Sequence, residues 1–177
     1  MPFAVECYFD PATEDAVRNI WRALADAKIN SRMIDVGARP HISLTVAEGN
    51  LTTELVNHLR EFTTNKTKLQ IQFGSLGIFP NDLGVMFLAP RASAELANLH
   101  LEWCAAIAPL DLAVWDYYSA GDWSPHCTLA VGLIPEQFAE AFSICRSTRF
   151  PLPVEIQEIG VTKLRPVERV QSFALAR

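Results

Sequence analysis

One short pattern occurs twice in this chain, and it constrains the fold more than any other feature. Pro40-His41-Ile42-Ser43-Leu44-Thr45-Val46 and Pro125-His126-Cys127-Thr128-Leu129-Ala130-Val131 both read Pro-His-x-(Ser/Thr)-Leu-x-Val. The histidines lie 126 − 41 = 85 residues apart. Each copy sits in a run of strand-forming residues, and alternate side chains of a strand share a face. His41 and Ser43 are therefore expected on one face, with Ile42, Leu44 and Val46 on the other. His126 and Thr128 share a face likewise, opposite Cys127, Leu129 and Val131. The apolar face seals each strand onto a core and leaves a histidine and a hydroxyl for something else. Two such faces brought together would set two imidazoles and two hydroxyls around one cavity.

The segments around the motifs repeat a plan. Phe3–Phe9 reads as an opening strand, broken by Asp10-Pro11. Thr13 is a candidate N-cap for a helix to about Lys28, with Val17, Ile20, Trp21, Leu24 and Ala27 as its buried stripe and Trp21 simply core. After the first motif come a helix from Leu51 or Thr52 to Phe62, a strand from Leu69 that runs loosely toward Pro80, and a hairpin partner, Val85–Ala89. A helix follows from about Ala92 to Ile107, then a short strand within 110–115 and an aromatic loop over 116–124. Beyond the second motif, Pro135 opens a helix, and strands are expected over Val154–Lys163 and Val170–Leu175. The pattern implies an α+β class: a bilobal, duplicated fold with two antiparallel sheets around a central cleft and helices on the outer faces. No low-complexity linker separates the halves, so residues 1–177 are expected to act as a single domain.

Charge narrows the partner. A net charge of −5 argues against the broad basic footprint that long nucleic acid needs, and leaves a small anion held by local groups. No apolar run is long enough to span a membrane, and the N-terminus lacks a basic-then-apolar signal pattern, so no membrane partner is expected. Cys7, Cys104, Cys127 and Cys145 are widely spaced and read as reduced core thiols, in keeping with a cytoplasmic location.

Paired His-x-(Ser/Thr) faces suit phosphodiester chemistry. One imidazole takes a proton from an attacking water or hydroxyl, and the other, as imidazolium, donates to the leaving oxygen. Hydroxyls on the same face donate to the anionic oxygens. No carboxylate sits at matching spacing in either motif to complete a metal site, so neither metal nor cofactor is expected. Cys127 falls on the face opposite His126, against a Cys-His nucleophile pair. His58 and His100 lack the motif and are expected as surface or packing residues in helices.

The two motifs, their spacing and the duplicated layout resemble the 2H phosphoesterase superfamily, which includes 2′-5′ RNA ligase-like proteins and plant cyclic phosphodiesterases. The resemblance implies a central cleft and metal-independent chemistry on 2′,3′-cyclic or 2′-5′-linked nucleotides. His41 and His126 would be its acid–base pair, with the two roles unassigned, and Ser43 and Thr128 would bind phosphate oxygens. Phe79, in Gly77-Ile78-Phe79-Pro80, resembles an aromatic of the family that follows this strand, and either stacks on a base or packs in the core. Trp115, Tyr117, Tyr118 and Trp123 precede the second motif and are candidates to line the cleft, with Tyr117 and Trp123 as candidate substrate contacts. Arg39, Lys163 and Arg165 are candidates for ligand charge contacts, or else solvated surface. The expected partner is a small nucleotide or a short RNA end, bound by a monomer. Competing readings are an RNA-end ligase on the same fold and a nucleotide-binding protein without turnover.

Overall fold

The computed structural model describes all residues, 1–177. The chain opens with Phe3–Phe9 (β1), every residue of which is buried. Pro11–Asp26 (α1) follows, capped by Asp10, whose carboxylate accepts from the Thr13 backbone N–H at 3.0 Å and from its hydroxyl at 2.6 Å. The cap is thus Asp10 rather than Thr13. Proline at the first helical position lacks an N–H that would be orphaned there anyway, so Asp10-Pro11 starts the helix as well as ending the strand. Val17, Ile20, Trp21 and Leu24 form its buried stripe.

A one-turn helix, Arg32–Asp35 (α2), then precedes the first motif strand, His41–Glu48 (β2). Its brevity left no periodic signal in the sequence. Thr53–Thr64 (α3), Leu69–Ile78 (β3), Met86–Pro90 (β4) and Ala94–Ile107 (α4) come next. Ala113–Val114 (β5) and a 3₁₀ turn, Asp116–Tyr118, lead to the second motif strand, Cys127–Ala130 (β6). A 3₁₀ turn at Pro135–Gln137 runs into Phe138–Cys145 (α5), so the expected helix there begins three residues late. Leu152–Leu164 (β7) and Val167–Ala174 (β8) close the chain as a hairpin.

All strand pairs are antiparallel and join in one eight-stranded network of order β5-β2-β1-β7-β3-β4-β6, with β8 beside β7. The two wings share β7. Its residues 156–163 pair with β1, while on its other edge 152–156 pair with β3 and 158–164 with β8. β2 and β6 lie near the two ends of this order, yet the network curls until they touch. Gly77 pairs with Phe87 across β3–β4, and a Cβ there would sit 2.4 Å from the Phe87 ring. Helices α1, α3, α4 and α5 bury their apolar stripes against the sheet in one continuous cluster that includes Trp21, Leu59, Trp103 and Ala141. No helix is long and apolar enough to cross a membrane.

Candidate active site

The two motif strands carry the same irregularity at the same place. Along β1–β2, Val5 pairs with Thr45 and Glu6 with Ser43, so Leu44 is an extra residue. Along β4–β6, Met86 pairs with Ala130 and Phe87 with Thr128, so Leu129 is the extra residue. A β-bulge of this kind shifts the alternation by one position. The cavity is accordingly lined by His41, Ser43 and Val46 and by His126, Thr128 and Val131. The two valines thus share the histidine side, contrary to simple alternation. Ile42, Leu44, Cys127 and Leu129 stay on the core side as expected. Beyond the first bulge Thr45 is turned inward, where its hydroxyl accepts from Trp103 Nε1 at 2.8 Å.

Both imidazoles are held alike. His41 Nδ1 lies 2.7 Å from the Arg39 carbonyl, and His126 Nδ1 lies 2.7 Å from the Ser124 carbonyl. A carbonyl oxygen only accepts, so each Nδ1 donates and each Nε2 is the nitrogen left for chemistry. The hydroxyl-bearing residues are also held alike, through their backbones. Trp123 Nε1 donates to the Ser43 carbonyl at 2.9 Å, and Trp21 Nε1 donates to the Thr128 carbonyl at 3.1 Å.

The surroundings of the two rings differ. His41 Nε2 is 3.4 Å from Glu6 Oε1. Glu6 is buried, and its Oε2 accepts from Tyr8 at 2.7 Å and from Thr162 at 2.8 Å. His126 instead packs against Phe79 and Phe87, with ring centroids 4.9 and 5.3 Å away. Burial holds the His126 imidazole below its ordinary range, with the nearby His41 pushing the same way and the Ser124 carbonyl opposing. Burial also pushes the Tyr118 phenol up to about 12, against the Ser43 hydroxyl, which works the other way.

His41, His126, Ser43 and Thr128 all line one cavity of about 360 Å³, the lower part of the range for ligand pockets. Of the aromatics that precede the second motif, Trp115 and Tyr118 join that lining. Phe79 is half-buried behind His126, 4.4 Å from Phe87. Trp123 stacks on His100 at 4.0 Å with the planes 5° apart, behind the motif strand it bonds. Tyr117 is 77% exposed and outside the cavity lining. His100 is a buried packing residue, and His58 is half-buried on α3, its Nδ1 on the Glu54 carbonyl.

Arg39 reaches the cavity wall but is engaged on its far side. It pairs with Glu14 at 2.6 Å, makes a forked contact to Glu158 at 3.0 and 3.1 Å, and lies 4.2 Å over the Tyr8 ring. Lys163 pairs with Glu168 at 2.9 Å. Arg165 lines the cavity with Arg32 and Arg169, and none of these three makes an ion pair. Glu6, Phe87, Thr162, Arg32 and Arg169 were not legible from the motifs. Glu6 alone left a trace, as the one charged residue in the apolar run Phe3–Phe9.

Comparison with known proteins agrees with this geometry. The family model described as "2′-5′ RNA ligase superfamily" matches residues 10–167. Among solved structures, TT0787 of Thermus thermophilus superposes with a TM-score of 0.65 at 15% identity, covering 99% of this chain and 98% of that one. The apo form of E. coli LigT gives a TM-score of 0.65 at 13% identity, again over 99% and 98% of the two chains. A structure described as a phosphoesterase gives 0.60 at 11% identity over the same shares. No curated protein sequence matches the chain. The repeated histidine strands, the shared cavity and the family match together establish that the chain belongs to the 2′-5′ RNA ligase superfamily of 2H phosphoesterases.

Proposed function

We propose that the chain is a phosphodiesterase that opens 2′,3′-cyclic or 2′-5′-linked nucleotide phosphodiesters by two-histidine acid–base catalysis. The observation that carries this is the matched pair of imidazoles, each fixed through Nδ1 so that Nε2 is left for chemistry, flanking one cavity. In-line attack at phosphorus needs a base on one side and an acid on the other, and two imidazoles supply both near neutral pH. The Ser43 and Thr128 hydroxyls donate to the equatorial phosphate oxygens, where charge builds in the transition state. Trp123 and Tyr118 hold the first hydroxyl's surroundings, and Phe79 fixes His126 by its edge. Neither proton transfer requires a metal ion.

A small nucleotide or a short RNA end suits the cavity's size and its three unpaired arginines, Arg32, Arg165 and Arg169. E. coli LigT, similar in fold, has been solved with 3′-AMP, with NADP⁺ and with ATP, which supports ligands of this class. β7 belongs to both wings, which supports reading the whole chain as one working unit.

The test is hydrolysis of the four 2′,3′-cyclic nucleotides in EDTA by wild type, His41→Ala and His126→Ala, with the product resolved as 2′- or 3′-phosphate. Turnover that survives chelation and needs both histidines is expected. Loss of all turnover in EDTA with recovery on added metal would overturn the metal-independent reading, and near-normal turnover in either variant would remove that histidine from the mechanism.

A further inference from the structure

The motif strands are matched, but their ladder partners are not. Glu6 of β1 stands opposite Ser43, and at the equivalent point of the other wing Phe87 of β4 stands opposite Thr128. Each partner reaches the neighbouring histidine: the Glu6 carboxylate lies 3.4 Å from His41 Nε2, and the Phe87 ring centroid lies 5.3 Å from that of His126. One imidazole therefore has an anion beside it and the other has apolar ring surface. An adjacent carboxylate favours the charged form of an imidazole, and apolar surroundings favour the neutral form.

We infer that Glu6 assigns the two roles: it keeps His41 as the imidazolium that protonates the leaving oxygen, and leaves His126 as the neutral base. Glu6 is a positioning residue in this scheme, acting through His41. The assignment rests on the phosphodiesterase reading above. In the step, a water O–H proton passes to His126 Nε2 as the new O–P bond forms. The P–O bond to the ribose 2′ or 3′ oxygen breaks, and that oxygen takes the proton from His41 Nε2. His126 then releases its proton to solvent and His41 regains one, so the enzyme ends in its starting state.

The other charged or titratable groups around His41 do not duplicate Glu6. Tyr8 of β1 donates to Glu6 itself. Glu14 of α1 and Glu158 of β7 are both bound to Arg39. Cys127 of β6 is a buried thiol against the His41 backbone, and burial pushes it up to about 12. Tyr118 belongs to the 3₁₀ turn before β6, and His126 faces across the cavity. Arg32, Arg165 and Arg169 complete the charged lining. The contact between Glu6 Oε1 and His41 is at ion-pair reach but is not among the hydrogen bonds of the site, which leaves the Nε2 proton available to a leaving oxygen.

The experiment combines imidazole titration with kinetics. Nitrogen-resolved NMR of the imidazoles in the free protein should find His41 holding its proton to higher pH than His126. Glu6→Gln, which keeps shape and loses charge, should lower the His41 midpoint and move His126 much less. In kcat/KM for a 2′,3′-cyclic nucleotide, the alkaline limb belongs to the acid and the acidic limb to the base. Glu6→Gln should pull in the alkaline limb alone, and Glu6→Asp should restore it. The reverse order of the two midpoints in wild type overturns the assignment without any variant. So does an acidic limb that moves, or an alkaline limb that does not. Absence of turnover with the NMR shifts present would instead sink the phosphodiesterase reading and leave the pairing of Glu6 with His41 standing.

Discussion

Trp123 reaches across from the loop before β6 and donates its indole N–H to the Ser43 carbonyl at 2.9 Å. Trp21 does the same for Thr128 from α1 at 3.1 Å. Each hydroxyl-bearing motif residue is thus pinned by a tryptophan distant in sequence, beside the bulge that turns the strand. Trp123→Phe should keep most of the stacking on His100 and leave the part-buried carbonyl unsatisfied. A stability loss of about 1 kcal/mol is expected by urea unfolding, with a larger loss in kcat than in KM. A variant with unchanged kcat would show that the Ser43 backbone needs no such anchor.

The two histidines should behave as a unit. His41→Ala and His126→Ala are each expected to lower kcat by a factor of about 10²–10⁴, and the double variant should be little worse than either single one. Steady-state kinetics on a 2′,3′-cyclic nucleotide measures this. Multiplicative losses would mean that the two rings serve separate steps.

The phase shift at the bulge can be tested at Val46. It lines the cavity, so Val46→Phe should fill ligand space and raise KM while melting changes by only a few degrees, since one added kcal/mol of strain moves Tm by about 2–4 °C at this size. If Val46 pointed into the core, the same change would overpack it and cost about 1–3 kcal/mol. Melting and KM measured on one preparation separate the two outcomes.

Stability should fall with pH through two imidazoles. His126 and His100 are both held below the ordinary imidazole value, in each case chiefly by burial. The unfolded chain therefore takes up protons first, at about pH 6.5, and the folded state loses stability as the pH drops from there through the lower folded values. Above that range the contribution is fully present and flat. Urea unfolding between pH 7.5 and 5 should show the decline, and His100→Asn should flatten it. A decline as steep in His100→Asn as in wild type would contradict the burial of that ring.

Arg165→Ala and Arg169→Ala should weaken binding of a 2′-5′ dinucleotide more than that of a mononucleotide, and should reduce the salt dependence of KM. Equal effects on both ligands would place the flanking phosphate elsewhere. Arg39→Ala should act differently. It would leave Glu14 and Glu158 without their shared cation, so stability should suffer along with activity.

The local signals in the sequence were sufficient for the strand order along the chain, the buried stripe of α1 and the faces taken by the four motif side chains. The reason is that these depend on periodicity and on short repeated spacing: Val17, Ile20, Trp21 and Leu24 must share a helical face, and a twice-written Pro-His-x-(Ser/Thr)-Leu-x-Val is hard to produce by accident. Tertiary structure decided the rest. A bulge is a property of a pair of strands, so the turning of Val46 and Val131 toward the histidines could not be read from either strand alone. The two wings meet through β7, whose mix of apolar and polar residues looks the same whether it pairs with one partner or three. The difference between the two imidazoles lies in Glu6 and Phe87, which are remote in sequence from the motifs they face and become their neighbours only through antiparallel register.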